Sequence, residues 1–190
     1  MKVGVFCSAN KNVNKAYSEA TQALGMWIGR GGHSLVWGGC RLGLMETVAE
    51  SFRVGTANLP KEKRGKLIGV IPEIIEEKGK SFSPVDQAIY CKSLSERKDI
   101  MTSLSDVLIA LPGGIGTLDE IFTVASAATI GYTDKIVILY NISGFWNPLI
   151  SLMNHLESQG MVRGDYRQRM IEVKSLEELS SVFRLLPCQS

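Results

Sequence analysis

The sequence predicts an α/β fold in which one parallel sheet is covered by helices on both faces. Three observations predict it. Short apolar, β-branched runs alternate with segments of helical period along the chain, and strand–helix–strand order of this kind builds parallel sheets. Glycine or proline closes several of these runs, so the elements are short and well separated. The 190 residues suit one domain, and no linker, internal repeat or low-complexity tract divides residues 1–190.

The elements follow in order. Residues 2–6 read as the first strand. Residues 13–30 read as a helix, because Ala16, Ala20, Ala23, Leu24, Trp27 and Ile28 recur near a 3.6-residue period, and Gly31-Gly32 ends it. Ser34–Trp37 is a second strand, closed by Gly38-Gly39, and residues 42–54 are helical. Leu67–Ile71 is a third strand, stopped by Pro72. Residues 73–86, with Gly79 and Pro84, read as a mobile loop carrying a short helix. Ala88–Cys91 is a strand and 94–104 a helix. Asp106–Leu111 is a buried strand, and a helix runs from Thr117 to about Ile130. Ile136–Tyr140 is the next strand. Helices near 146–159 and 175–186 flank a last strand at Met170–Val173. The result is a Rossmann-like, doubly wound sheet. In such sheets ligands bind beyond the carboxyl ends of the strands, which directs attention to the loops after residues 6, 37, 71 and 111.

Composition excludes several classes. A formal net charge of +2 is too small to indicate a nucleic-acid or membrane-surface partner. No apolar stretch is long enough to span a bilayer. Cys7, Cys40, Cys91 and Cys188 form no C-x-x-C pair, so neither a zinc site nor a redox dithiol is indicated. Three of them sit in apolar or glycine-rich surroundings and read as core residues. With no signal peptide ahead of Val3-Gly4-Val5-Phe6, this fits the cytoplasm. His33 and His155 read as structural or solvated, which argues against a histidine triad or a multi-histidine metal site. Lys61–Lys66 reads as a solvated loop.

The strongest local signal is Leu111-Pro112-Gly113-Gly114-Ile115-Gly116-Thr117-Leu118-Asp119-Glu120. A buried strand leads through glycines into a helix. Glycines let backbone N–H groups approach a ligand without a Cβ in the way, and a helix N-terminus favours an anion such as phosphate. Thr117 fits both an N-cap and a phosphate ligand. With Glu120 three residues on, it also fits a capping box, which would give Glu120 a structural role. A second glycine loop, Gly38-Gly39-Cys40-Arg41-Leu42-Gly43-Leu44-Met45, joins a strand to a helix and reaches the same crevice. Glu96-Arg97-Lys98 opens a helix. Adjacent cations there point in different directions, so at most one of them faces the site; otherwise the run is a solvated basic face.

Together these pieces resemble the Lonely Guy family, the cytokinin riboside 5′-monophosphate phosphoribohydrolases. The signature R-K followed by P-G-G-x-G-T-x-x-E appears as Arg97-Lys98 and Pro112–Glu120. The resemblance spans roughly residues 2 to 160 and includes Val5-Phe6-Cys7, Gly38–Met45, Gly69-Val70-Ile71-Pro72, and Gly131 with Asp134-Lys135. Sequences of this kind often carry the label lysine decarboxylase. That label fits poorly, because pyridoxal-phosphate chemistry needs a Schiff-base lysine with cofactor-holding partners and no such constellation is recognisable. The resemblance implies hydrolysis of the N-glycosidic bond of an adenosine 5′-monophosphate, often N6-substituted with an isoprenoid chain, to free base and ribose 5-phosphate. It implies Arg97 and Glu120 as catalytic residues and no cofactor or metal. Substrate would be bound by Lys98, Gly113, Gly114, Ile115, Gly116, Thr117, Gly39, Gly43 and Met45. It also implies a homodimer or higher oligomer, to which the alanine-rich stretch Val124–Thr129 could lend a close-packing surface.

The chain departs from the family pattern where the base would sit. Ser95 replaces a common histidine, Ala127-Ala128-Thr129 replaces a W-A-Q stretch, and the glutamate expected after Pro72 has no secure counterpart, with Glu77 or Gly79 as alignment choices. Smaller residues predict a looser pocket that tolerates plain AMP, unless Met45, Met101 and Trp146 refill it. Two other readings compete. Molybdenum-cofactor carrier proteins share this general fold and bind a phosphorylated pterin without turning it over. A dinucleotide-dependent oxidoreductase is weak, because no G-x-G-x-x-G follows the first strand.

Overall fold

The computed structural model describes residues 1–186; Cys188 lies outside the described residues. Seven strands form one sheet: β1 (Lys2–Phe6), β2 (Ser34–Trp37), β3 (Leu67–Pro72), β4 (Gln87–Cys91), β5 (Val107–Ala110), β6 (Val137–Tyr140) and β7 (Met170–Val173). Their order is β4-β3-β2-β1-β5-β6-β7, and every pairing is parallel. The chain winds outward from β1 to β4, then crosses back to lay β5 on the other side of β1. That reversal puts a topological switch point between β1 and β5.

The helices are α1 (Lys15–Arg30), α2 (Gly43–Thr56), α3 (Glu73–Glu77), α4 (Leu94–Leu104), α5 (Ile115–Thr129), α6 (Asn147–Ser158) and α7 (Leu176–Leu185). Strand alternation sorts the core into two layers. Val3, Val5, Leu35, Trp37, Val107 and Ile109 pack with Leu24, Ile28, Val48, Phe52, Leu179 and Phe183 of α1, α2 and α7. Phe6, Val36, Val70, Leu108 and Ala110 pack with Met101, Ile121, Val124, Leu149 and Met153 of α4, α5 and α6. Both faces of the central strands are therefore dry, which is why their sequences read as continuous apolar runs. On the first face α1 and α2 lie backbone to backbone. A Cβ on Gly25 would come within 2.6 Å of the Val48 carbonyl oxygen, and one on Gly29 within 2.5 Å of that of Phe52.

Two expectations are corrected. Residues 78–86 are not a free loop. Arg41 N–H donates to the Lys80 carbonyl, Phe82 N–H donates to that of Gly39, and Phe82 packs edge-on against Trp37. Asp86 accepts from the Leu67 amide and pairs with Arg53 at 2.9 Å. The second correction concerns α5, which begins at Ile115 rather than Thr117. Gly114 is its N-cap, at φ −95° and ψ −149°, and no side chain caps the helix. Glycine enters the helix without a side-chain cap, so the capping-box reading of Thr117 and Glu120 fails. Helices α1, α4 and α7 carry side-chain caps instead: Asn14 accepts from the Ala16 amide, Ser93 from that of Glu96 and Ser175 from that of Glu178. Cys7, Cys40 and Cys91 are buried free thiols, as expected. No described helix is long and apolar enough to cross a membrane.

Candidate active site

A crevice of about 260 Å³ opens at the switch point, lined by Cys7, Ser8, Ala9, Met45, Arg97, Gly114, Gly116, Thr117 and Glu120. Three strand-end loops meet there and are laced by backbone hydrogen bonds. The Ser8 amide donates to the Pro112 carbonyl at 3.2 Å, and the Leu44 amide donates to the Ser8 carbonyl at 3.0 Å. Gly43, at φ +57°, lets the 8–10 loop press against the start of α2, where a Cβ would strike the Asn10 carbonyl.

The glycines of the 113–116 turn divide the work. A Cβ on Gly113 would overlap the Thr117 hydroxyl, so its hydrogen makes room for that side chain. Around Gly114 and Gly116 there is open space, and both line the crevice. The uncapped first turn of α5 leaves backbone N–H groups without helical partners, with the positive end of the helix dipole behind them. An anion fits this geometry.

Opposite stands a buried ion pair. Arg97 Nη1 lies 3.4 Å from Glu120 Oε1, and their side chains are 12% and 5% exposed. The topology brings them together. Helix α4 returns from edge strand β4 across β3, β2 and β1 to reach β5. Its first turn therefore passes the carboxyl end of β3, where Arg97 Nε donates to the Val70 carbonyl at 3.2 Å. Glu120 sits one turn into α5 and faces inward, among buried residues.

Burial raises the Glu120 pKa to about 7; Asp119 adds to the rise, while Arg97 and Lys98 oppose it. A carboxyl that ionises near neutrality beside a fixed guanidinium is suited to general acid–base work and to stabilising a cation. Burial also pushes the Cys7 thiol far up, with Glu120 adding to the effect, so the thiol on the crevice wall stays protonated.

The residues expected at the site separate into two groups. Arg97, Glu120, Gly114, Gly116, Thr117 and Met45 line the crevice together. Lys98, Gly113, Ile115, Gly39 and Gly43 are not among its lining residues. Lys98 turns to Asp119, with Nζ at 2.7 and 2.8 Å from the two carboxylate oxygens. Ile115 is 87% exposed, and Gly39, at φ +68°, packs against Ile71. Met101 and Trp146 do not fill the pocket. Both are core residues, and the Trp146 indole donates to the Ala110 carbonyl. Ser8 and Ala9 also line the crevice, and their only signal in the sequence is that they follow the end of the first strand.

Fold and site together define a doubly wound α/β protein in which a helix terminus suited to an anion faces a buried arginine–glutamate pair. Comparison with known proteins is more specific. The chain belongs to the Lonely Guy family; the matching family model, described as "Possible lysine decarboxylase", covers residues 45–183. A protein of Rhodococcoides fascians named cytokinin riboside 5′-monophosphate phosphoribohydrolase is 32% identical, over 96% of this chain and 88% of its own length. A similarly named protein of Oryza sativa subsp. japonica is 32% identical, over 94% of this chain and 70% of its own length. Among solved structures, the molybdenum cofactor carrier protein of Chlamydomonas reinhardtii superposes with a TM-score of 0.70 at 21% identity, covering 97% of this chain and 96% of that one. The molybdenum cofactor binding protein of Rippkaea orientalis gives 0.66 at 21% identity, covering 97% and 95%. At these identities the likeness is one of fold.

Proposed function

We propose that this protein hydrolyses the N-glycosidic bond of an adenosine 5′-monophosphate, plain or N6-substituted, releasing the free base and ribose 5-phosphate. The observation that carries this reading is the buried Arg97–Glu120 pair facing the open glycine terminus of α5 across one crevice. The 5′-phosphate binds the N–H groups of the first turn of α5, with Thr117 beside it. That anchorage holds the ribose near Glu120 and supplies binding energy remote from the reacting bond. As the bond from C1′ to the base nitrogen breaks, its electron pair leaves with the base and the sugar becomes cation-like. The Glu120 carboxylate stabilises that charge and takes a proton from the attacking water, whose oxygen bonds to C1′. The proton then passes to the base. Arg97 fixes the carboxylate and offers a cation to the departing base. No cofactor is needed for this sequence of steps.

The test is chromatography of products after incubation with AMP and with its isopentenyl derivative. Both nucleotides release free base, at kcat/KM values within roughly a hundredfold of each other, because a few apolar contacts discriminate by only about 1–3 kcal/mol. A protein that returns both nucleotides intact contradicts this reading.

The same reading includes a homo-oligomer, at least a dimer. Ile115 and Tyr132 are 87% and 84% exposed, and Phe122 and Ile130 are also exposed, the four spread along α5 and just beyond its end. An apolar set of this kind suits a second copy better than water. Light scattering at assay concentration should give at least twice the chain mass of 20.8 kDa. A fully active monomer contradicts this part of the proposal.

A further inference from the structure

Gly38 stands directly after β2, outside the residues lining the crevice and outside the motif that carries Arg97 and Glu120. Its φ is not in the left-handed region, so no backbone requirement explains a glycine there. Space does. A Cβ built on Gly38 would overlap Nη2 of Arg97 and lie 2.8 Å from its Cζ, with Met45 Cε at 3.3 Å. The guanidinium therefore rests on the bare α-carbon of Gly38. It is held from two other sides by the Val70 carbonyl and the Glu120 carboxylate.

We propose that Gly38 is a positioning residue: its missing side chain forms the socket that seats the Arg97 guanidinium against Glu120. The obstacle that alanine would create is a flexible side-chain end, not backbone, so the protein can fold and Arg97 must move. Gly39 makes the contrast, since its φ of +68° and its contact with Ile71 make any substitution there a strain on the fold itself. The effect on catalysis rests on the reaction proposed above; the effect on Glu120 does not.

The test is Gly38→Ala, made in the wild-type chain and in Arg97→Ala, with Glu120 followed by carbon-13 NMR titration of its carboxyl. The charged and titratable groups around Glu120 are Arg97 and Lys98 from α4, Asp119 on its own helix and Cys7 at the end of β1. Of these, only Arg97 occupies the space a Gly38 side chain needs. Arg97 holds the Glu120 pKa down, so its displacement raises the titration midpoint. Base release falls by roughly tenfold or more, since misplacing a group by about 1 Å can cost about 100-fold. In the Arg97→Ala background, Gly38→Ala changes neither the midpoint nor the melting temperature. Should Gly38→Ala alone fail to fold, recovery of the fold in the double variant supports the same conclusion. An unchanged midpoint, or a loss of fold or activity that persists without Arg97, overturns it. If the wild-type protein releases no base, the proposed reaction fails and the Glu120 midpoint alone decides the role of Gly38.

Discussion

Replacing Glu120 by glutamine is expected to lower base release by about 10³-fold or more, within the range for loss of a general acid–base group combined with loss of charge stabilisation. The same substitution alters stability in a pH-dependent way, and its sign follows from linkage. Burial holds the Glu120 carboxyl at a pKa of about 7, against 4.5 for an ordinary glutamate. Between those values the folded protein keeps a proton that the unfolded chain has lost. Stability therefore falls as pH rises through this window, by about 3 kcal/mol at most for one such group. Glutamine has nothing to ionise. Relative to wild type, Glu120→Gln should gain stability between pH 4.5 and pH 7.5, whatever constant cost it bears for leaving Arg97 without its partner. Urea unfolding of both proteins at pH 5 and pH 8 measures this difference. A gap that stays the same at both pH values would mean that folding does not raise the Glu120 pKa.

Arg97→Ala is expected to cost about 10²- to 10³-fold in base release, comparable to the loss of one preorganised charge at a transition state. Lysine should not restore it. The Arg97 side chain uses Nε on the Val70 carbonyl and Nη1 on Glu120 at the same time, and a lysine ammonium cannot span both with fixed geometry. Because Arg97 lowers the Glu120 pKa, the variant should also show Glu120 titrating higher than in wild type. The double variant Arg97→Ala with Glu120→Gln should lose little more than the worse single variant, since the two act on one transition state as a unit. Additive losses would show that they act separately, and near wild-type activity in either single variant would remove the pair from the chemistry.

Most of the fold is legible in the sequence because burial on both faces writes each central strand as an apolar run, and packing on one face writes helices such as α1, α2 and α7 as periodic ones. Lys2–Phe6, Ser34–Trp37 and Met170–Val173 have the expected bounds. What the sequence hides is local and steric. Thr117 looks like an N-cap because threonine is a common one, but a glycine at 114 starts the helix earlier and frees Thr117 to fill the space beside Gly113. The segment after Pro72 looks loose because it is rich in charge and glycine. Its anchors are backbone hydrogen bonds to Gly39 and Arg41, distant in sequence and invisible to periodicity. Arg97 and Lys98 are indistinguishable as letters. Only the crossover path of α4 decides that Arg97 reaches Glu120 while Lys98 reaches Asp119. Trp146 and Met101 suit a ligand pocket by residue type, yet α4 turns Met101 into the core, and Trp146, the N-cap of α6, is drawn in by its hydrogen bond to the Ala110 carbonyl.

The proposed reaction needs one carboxyl group, that of Glu120, to ionise near neutrality and act as a carboxylate. The pH dependence of kcat/KM for AMP hydrolysis tests this most directly, because it reports ionisations of the free protein and free nucleotide. The nucleotide phosphate takes up its second proton near pH 6, and Glu120 should add a separate, higher inflection near pH 7. The expected profile rises with pH, reaches half its plateau near pH 7 and is level above about pH 8. A profile already level from pH 6.5 upward, or one that falls across this range, would contradict the assignment of Glu120 as the ionised group that supports bond cleavage.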